Sequence, residues 1–496
     1  MSMNVERRGF LKGLGLFAAG GMAGGCKLVG EPVSLPAAVD PFAGLERLNY
    51  PVQSYEAKTS RQLTAVVVGY GGRGSCYSSY AEYCPKALKM VGVCDIDGKK
   101  VRQFQEHFKV PKENCYHCDF RDCLALKKKI ADVMFICLPD DLHYEPAMKA
   151  MDLGYDIVLE KPMAQTEAEC RNLLKKQAET KRLVGIGHVL RYGPYFRALK
   201  RAVDDGLIGE LVSIQHMEPI YYEHMAHSYV RGNWHDSKKT TPIILAKSCH
   251  DLDIIKWIVG KPCKTVSAEG GLKFFTKENC PKGAPLRCIE GCPHEKECPY
   301  SALKIYRGFT ENGPNGNNWP AIWNWVFNIG ELARWETREE YNRVLAEKLR
   351  TTDYGKCVFQ CDNDQCDHYV ANMVFEGGVT AAFSMEAFTP WGGRRTRIMG
   401  SMGFIEGDGE DLSFKLWDFR TGKVKFWNGK VVEDERYRNH GHGGGDSALM
   451  RDFLEAVDTR DESKLSSTVR ASVESHVMGF ACEKSRLTHQ KVDVVV

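Results

Sequence analysis

The chain has 496 residues, a formal net charge of +3 at pH 7 and 43% hydrophobic residues, the balance of a globular protein with room for two or three domains. No basic block suggests nucleic acid, no acidic tail is present, and no apolar run reaches the about 18 residues that a membrane-spanning helix needs. Nineteen cysteines are many for a cytoplasmic enzyme and leave disulfides, thiols or metal ligands open.

Residues 1–26 read as an export signal. Arg7 and Arg8 precede Phe10, Leu11 and Lys12, and an apolar run from Leu14 to Ala23 ends at Gly24, Gly25 and Cys26. A twin arginine ahead of a modest apolar segment is the pattern of the twin-arginine route, which moves folded proteins. The chain is therefore expected in the periplasm or at the envelope, with the twin-arginine export machinery as a partner. Cys26 also fits a lipid-anchored terminus, except that Ala23 stands where lipoprotein signals usually have Leu. Residues 27–60 contain Pro32, Pro36, Pro41 and Pro51 and read as a linker or an arm packed on the surface.

Residues 61–187 form the next unit. "LTAVVVGYGGRG" is an apolar strand running into Gly69, Gly71 and Gly74; a helical segment follows, and "LKMVGVCDID" is a second strand reaching Asp95, 21 residues beyond Gly74. Strand, glycines, helix, strand and acid at this spacing are the signature of a dinucleotide fold. Gly69 allows the tight turn, Gly71 lets backbone amides approach a pyrophosphate, and Gly74 permits close helix–strand packing. Asp95 would accept hydrogen bonds from the adenine-side ribose and favours NAD; Arg73, Lys99 and Lys100 lie near enough in sequence to keep NADP open. "DVMFICLP", "YDIVLEKP" and "RLVGIGHVLRY" supply further strands between helices, and Thr166 with Glu169 makes a capping box. Apolar strands alternating with helices predict an α/β, mostly parallel sheet covered on both faces, with ligands at the carboxyl ends of its strands, where Lys161 falls.

At Glu160-Lys161-Pro162 the chain resembles the Gfo/Idh/MocA oxidoreductases, named for glucose–fructose oxidoreductase and inositol dehydrogenase. The resemblance runs over about residues 61–490, through "LPDDLHYEPAMKAMDLGYDIVLEKPMA", "HVLRYGP", "CHDLDIIKW" and "GHGGGD". It implies a second α+β domain, residues 188–490, with an open, mainly antiparallel sheet, and NAD(P)-dependent oxidation or reduction of a sugar or polyol. It also implies a tightly held nucleotide, which a protein exported already folded can carry out of the cytoplasm. Homo-oligomers through the open sheet are implied as well, on a surface that an insertion can block.

By this resemblance Lys161 contacts the substrate hydroxyl and the nicotinamide, and His250 transfers the proton, its ordinary pKa lying near neutrality. Family members often carry Asp four residues before this histidine; here that position is Ala246, so Lys247 is the expected substitute, with Asp253 orienting the helix or the histidine. The candidate nucleotide-binding set is Gly69, Gly71, Gly72, Arg73, Gly74, Asp95, Pro139, His143, Glu160, Lys161 and Arg191. Lys247, His442 and Tyr192 are the candidate substrate contacts. Asp446 is either a helix cap or part of the cleft. Trp319, Trp323, Trp325 and Trp391 are candidates for stacking on sugar rings, and Arg394 and Arg395 read as a solvated strand edge.

An insertion at about residues 263–366 holds Cys263, Cys280, Cys288, Cys292, Cys298, Cys357, Cys361 and Cys366. Cys288, Cys292 and Cys298 with Cys357 or Cys361 suit a structural zinc. Cys361 is the fourth ligand expected for that site. An iron–sulfur cluster on the same ligands, disulfides and free thiols are the alternatives. Cys115, Cys118 and Cys123 read as ordinary residues of the dinucleotide domain. Two other functions compete with a carbohydrate dehydrogenase. One is an NAD-dependent glycosidase, whose relatives share the "GHGG-x-D" segment but lack Glu-Lys-Pro; the other is a non-catalytic sugar-binding lipoprotein.

Overall fold

The structure, a computed structural model, describes residues 40–307, 337–429 and 441–495. The twin-arginine segment, Cys26, Trp319, Trp323 and Trp325 lie outside the described residues.

After a short strand β1 (Glu46–Arg47), the first apolar run folds as β2 (Leu63–Val68). It is central in a six-stranded parallel sheet with β3 (Leu88–Asp95), β4 (Cys115–His117), β5 (Val133–Ile136), β6 (Asp156–Leu159) and β7 (Val184–Ile186). The order is β4-β3-β2-β5-β6-β7, the Rossmann arrangement, and it reverses direction between β2 and β5. Ala65 and Val67 pack with Phe104, Phe135, Leu449 and Phe453, whereas Val66 and Val68 pack with Met134, Ile136, Met151 and Leu173. Burial on both faces is why these strands read as uninterrupted apolar runs. The capping box forms as its residues predict: the Glu169 amide donates to Thr166 Oγ1 at 3.2 Å and the Thr166 amide to Glu169 Oε2 at 3.1 Å.

The second sheet has ten strands: β1 together with β8 (Leu211–Pro219), β9 (Cys263–Gly271), β10 (His368–Phe375), β11 (Thr380–Glu386), β12 (Arg395–Gly400), β13 (Gly403–Asp408), β14 (Ser413–Asp418), β15 (Val424–Asn428) and β16 (Val492–Asp493). Their order is β1-β15-β14-β13-β12-β8-β11-β10-β9-β16, antiparallel throughout except for the β8/β11 and β1/β15 pairs. This is the open, mainly antiparallel sheet that the resemblance implied. Alternate residues of β10, from Tyr369 to Phe375, point into the core under the helices Cys249–Val259 and Val469–Thr488.

Two late segments join the sheets. The helix Gly445–Thr459 lays Leu449 and Phe453 on the Rossmann sheet, and the helix Val469–Thr488 packs against Glu167–Thr180, Cys249–Val259 and β9. The chain before β2 runs over both domains: Trp427 Nε1 donates to the Tyr50 carbonyl at 3.0 Å and Tyr80 OH to the Tyr55 carbonyl at 2.6 Å. No helix among the described residues is long and apolar enough to cross a membrane.

Candidate active site

The glycine loop is built by exclusion. At Gly69, with φ +88°, an added Cβ would meet the Cys137 carbonyl oxygen at 2.5 Å, and at Gly74 one would meet the Gly69 oxygen at 2.0 Å. Around Gly71 and Gly72, in contrast, nothing lies within 4 Å of that position, so this side of the loop faces open space at the start of the helix Gly72–Ser78. Asp95 closes β3 and is held beside the loop, Oδ2 accepting from the Tyr70 amide at 2.7 Å and Oδ1 from the Asp97 amide at 2.8 Å. Ile96 next to it is 77% exposed, an apolar surface free to lie against a base. Open glycine amides followed by a fixed carboxylate fit a pyrophosphate and its adenosine ribose.

Arg73 does not face that open side, which corrects the expectation that it meets the nucleotide. Its Nε donates to Glu160 Oε1 at 2.7 Å and its Nη2 to Asp446 Oδ1 at 2.7 Å, with the guanidinium over the Tyr77 ring. Tyr77 OH donates to the same Glu160 oxygen at 2.6 Å. Glu160 is thereby occupied inside the protein, and its bare position next to the loop does not make it a nucleotide ligand. Asp446 is no helix cap: Gly444 holds that place, and the Asp446 carboxylate lies 3.1 Å from His442 Nδ1. Burial alone would raise the Asp446 carboxyl, but the charges of Arg73 and His442 hold it well below the usual range. An added Cβ at Gly441 would lie 2.3 Å from Asp446 Oδ2, so the glycine ahead of His442 makes room for the carboxylate.

Lys161 ends β6 and donates through Nζ to the Ala246 carbonyl at 2.6 Å. The backbone oxygen of the residue that replaces the family aspartate thus anchors the lysine. Four residues later, at the start of the helix Cys249–Val259, stands His250, 5% exposed, with no partner for Nδ1. Its ring lies 6.0 Å from that of His442 and 5.7 Å from that of His188, which is 5.4 Å from His476, so four histidines line up from the cleft into the core. Burial, helped by the charge of Lys161, lowers His250 well below its ordinary value; burial also lowers His188 to about 4 and His476 to about 3. The imidazole facing Lys161 is therefore neutral at pH 7, a proton acceptor.

Four expected site residues turn inward instead. Asp253 grips Arg191, with Arg191 Nε to Oδ2 at 2.5 Å and Nη2 to Oδ1 at 2.6 Å, and Arg191 Nη1 donates to the Ser466 carbonyl. The pair is buried and joins the Rossmann exit to the helix Cys249–Val259, so Asp253 does not orient His250 and Arg191 does not reach a nucleotide. Tyr192 is also buried, its OH accepting from the Ser467 amide at 3.0 Å. His143 places its ring nitrogens 2.6 Å from the Pro162 carbonyl and 2.7 Å from the Leu138 carbonyl, tying together the loops after β5 and β6. Pro139 between them is exposed at the sheet's carboxyl end.

Lys247 does enter a charged group, one that the sequence reading largely missed. Its Nζ lies 3.3 Å from Glu218 Oε1, Arg394 Nε lies 2.9 Å from Asp251 Oδ1 and pairs with Glu218, and His216 Nε2 lies 3.0 Å from the same Asp251 oxygen. Arg394 is consequently a partly buried member of the site, whereas Arg395 pairs with Asp408 and covers the Trp391 ring at 4.5 Å. Burial lowers Lys247, with Glu218 opposing it, while Arg394 and Lys161 add to the lowering. The only sequence signal for this group was an acid at the end of β8 and another inside an apolar helix.

The zinc expectation is not met. Among the described residues no group of three or more His, Cys, Asp or Glu side chains is placed to hold a metal ion, and the described cysteines are all free thiols. Cys361, expected as the fourth ligand, turns its Sγ to the Cys357 carbonyl at 3.4 Å within its own turn.

Residues 63–188 match the oxidoreductase family's NAD-binding Rossmann fold, and residues 200–494 match the same family's C-terminal alpha/beta domain. A Bacillus subtilis protein named oxidoreductase YteT is 23% identical over 75% of this chain and 83% of its own length. Inositol 2-dehydrogenase of Salmonella typhimurium is 26% identical over 41% of this chain, an alignment that spans just over half, 56%, of that enzyme. Among solved structures, an inositol dehydrogenase homolog from Azotobacter vinelandii, complexed with NADH and myo-inositol, superposes with a TM-score of 0.61 at 15% identity over 89% of this chain and all of that one (100%). An Agrobacterium radiobacter oxidoreductase in complex with NAD+, L-tartaric acid and magnesium gives a TM-score of 0.61 at 13% identity, over 87% of this chain and 98% of that one. At such identities the likeness to solved structures is one of fold. The two matched regions together take in most of the chain, which belongs to the Gfo/Idh/MocA oxidoreductases, an NAD-binding Rossmann domain followed by the family's C-terminal domain.

Proposed function

We propose that this oxidoreductase moves a hydride between a hydroxyl-bearing carbon of a sugar, polyol or glycoside and a nicotinamide nucleotide that it keeps bound outside the cytoplasm. The observation that carries the reading is the 2.6 Å bond from Lys161, at the carboxyl end of the parallel sheet, to the Ala246 carbonyl four residues ahead of His250, which brings the lysine's charge to bear on the histidine. The names of the inositol dehydrogenase relatives support the substrate class. The twin arginine at Arg7 and Arg8 supports export of a folded, loaded chain.

NAD supplies the hydride acceptor when bound. The chain's own groups handle the proton and the pose. Lys161 lies where its ammonium stabilises a substrate oxygen as the hydroxyl loses its proton. Neutral His250 accepts that proton, and His442, its Nδ1 directed to Asp446, stands beside it to pass it toward solvent. Lys247 and Arg394, balanced by Glu218 and Asp251, present fixed donors to further hydroxyls without leaving a large net charge.

The test begins with untreated full-length protein taken from the envelope. Denaturation and mass spectrometry should release near-stoichiometric NAD(H), and a panel of polyols and sugars should change the bound nucleotide's fluorescence. A chain that leaves the cytoplasm empty, or one whose nucleotide responds to no carbohydrate, would overturn the reading.

A further inference from the structure

We propose that the rim of the cleft carries a second sugar subsite, an aromatic shelf of Tyr221, Tyr222, Phe274 and Phe388. It holds the adjoining unit of an oligosaccharide while the cleft takes the unit whose carbon is oxidised. The proposal rests on the carbohydrate reading above and deepens it, from a single sugar to a chain of at least two units.

Two loops build the shelf, and both also carry cleft residues. Strands β8 and β11 run parallel and finish side by side, with Glu386 opposite Pro219. The loop after β8 leaves from Glu218, the partner of Lys247 and Arg394, and passes through Tyr221 and Tyr222 to His224. Burial lowers that histidine, and then the charge of Lys247, with Lys161 and Arg394 adding to it, so His224 faces the same cleft. The loop after β11 carries Phe388 and Thr389 and reaches Arg394 at its far end. The two backbones are joined: the Tyr221 amide donates to Thr389 Oγ1 and the Tyr222 amide to the Thr389 carbonyl, each at 3.1 Å. The insertion after β9 completes the shelf with Phe274 and Tyr300. Centroid separations of 5.1 Å for Tyr221–Tyr222, 6.0 Å for Tyr222–Tyr300, 5.7 Å for Tyr300–Phe274 and 5.4 Å for Phe274–Phe388 make one unbroken row of rings.

Phe274 and Phe388 are 37% and 45% exposed, and Tyr221 and Tyr222 are half-buried, so the row presents rings to solvent beside the cleft. The backbone supplies an independent observation. Tyr221 has φ +78° and ψ +125°, a conformation that a bulky residue avoids. Strain of this kind persists where the surroundings hold it, and it gathers at ligand sites. Here the two bonds to Thr389 hold it, and a π-helical turn, Met225–Arg231, follows, another feature frequent at functional sites. Glu223 is fully buried, with Oε1 accepting from Tyr222 OH at 3.0 Å and Oε2 without a hydrogen-bond partner among the described residues. It therefore fixes the Tyr222 ring from within. Rings edged with hydroxyls suit a pyranose, whose C–H face is apolar and whose rim is polar. Continuity with the cleft selects that occupant, since the three residues from Glu218 to Tyr221 span at most about 11 Å, the reach of a disaccharide.

The experiment measures kcat/KM of the full-length, nucleotide-loaded protein on glucose, galactose and xylose, on their β-1,4-linked disaccharides and on their p-nitrophenyl glycosides. At least one disaccharide should exceed its monosaccharide by about tenfold, mainly through KM. Phe388→Ala, at an exposed position where truncation spares the core, should erase most of that ratio. Tyr222→Phe, which keeps the ring and removes only its bond to Glu223, should reduce the ratio less. A ratio equal in the native chain and Phe388→Ala, or p-nitrophenyl glycosides that depend on Phe388 as much as disaccharides do, would overturn the sugar subsite. Monosaccharide turnover with no gain from any disaccharide would overturn the subsite alone and leave the oxidoreductase reading standing. No turnover of any of these sugars would overturn the carbohydrate reading and the subsite with it.

Discussion

Arg73 and Asp446, 373 positions apart, meet at 2.7 Å and lock the glycine loop of the Rossmann domain to the His442 segment. The same guanidinium holds Glu160, so one side chain fastens the nucleotide loop, the strand end carrying Lys161 and the helix Gly445–Thr459. Arg73→Ala leaves two buried carboxylates without their cation and should cost about 3 kcal/mol. The Asp446 carboxyl is depressed in the folded chain, so its contribution is present above its unfolded pKa and is lost as pH falls through the folded one. Urea titrations should therefore show a shallower loss of stability on acidification for Arg73→Ala than for the native chain. Equal acid limbs would mean that Arg73 is not what holds Asp446 ionised.

Lys161→Met should lower kcat by about 10²- to 10⁴-fold while leaving the amount of bound nucleotide unchanged. Steady-state rates with mass spectrometry of the released nucleotide check both halves. Retained turnover would remove Lys161 from the chemistry.

His250 is lowered below its ordinary 6.5 by burial and by Lys161, so the acid limb of kcat/KM for oxidation should lie below that pH. In Lys161→Met the residual activity should show this limb moved upward, since a charge that lowers the histidine is gone. A limb at the same pH in both chains contradicts their electrostatic contact.

Lys247 is lowered by burial and raised by Glu218. Glu218→Gln should shift the lysine further down, moving the alkaline limb of activity to lower pH and raising KM more than it changes kcat. An unchanged profile would place Lys247 outside the reaction.

His188 and His476 are buried and neutral, at about 4 and about 3 in the folded chain. Below pH about 6.5 the unfolded chain binds protons that the native one refuses, so stability falls on acidification by up to about 1.4 kcal/mol per pH unit for each such histidine. His188→Gln should reduce this slope between pH 6 and 4 in urea midpoints taken at about half-unit steps. A slope equal to the native one would mean that His188 is protonated in the fold.

The features legible in the sequence were those that chemistry writes locally. Gly69 and Gly74 had to be glycine because backbone oxygens stand where a Cβ would be, and Asp95 closes the second strand where it accepts from the Tyr70 amide of the loop. Thr166 and Glu169 announced a helix start through bonds between neighbours. Lys161 and His250 were picked out by resemblance, each within a short motif. The misplacements have one physical cause. Arg73, Arg191, Asp253 and Tyr192 are polar residues beside real motifs, and their partners, Asp446, Ser466, Ser475 and Ser467, come from the last two long helices and the loop between them, hundreds of positions away. Arg394 read as a solvated edge because nothing near it in the chain hints at Glu218 or Asp251.

By itself the sequence determined the Rossmann unit and its glycine loop, since each rests on spacing along a few residues. Only the tertiary structure decided which charges face the cleft and which are spent inside. A buried ion must find its counter-ion wherever the fold supplies one, and so Arg73 meets Asp446 and Lys247 meets Glu218.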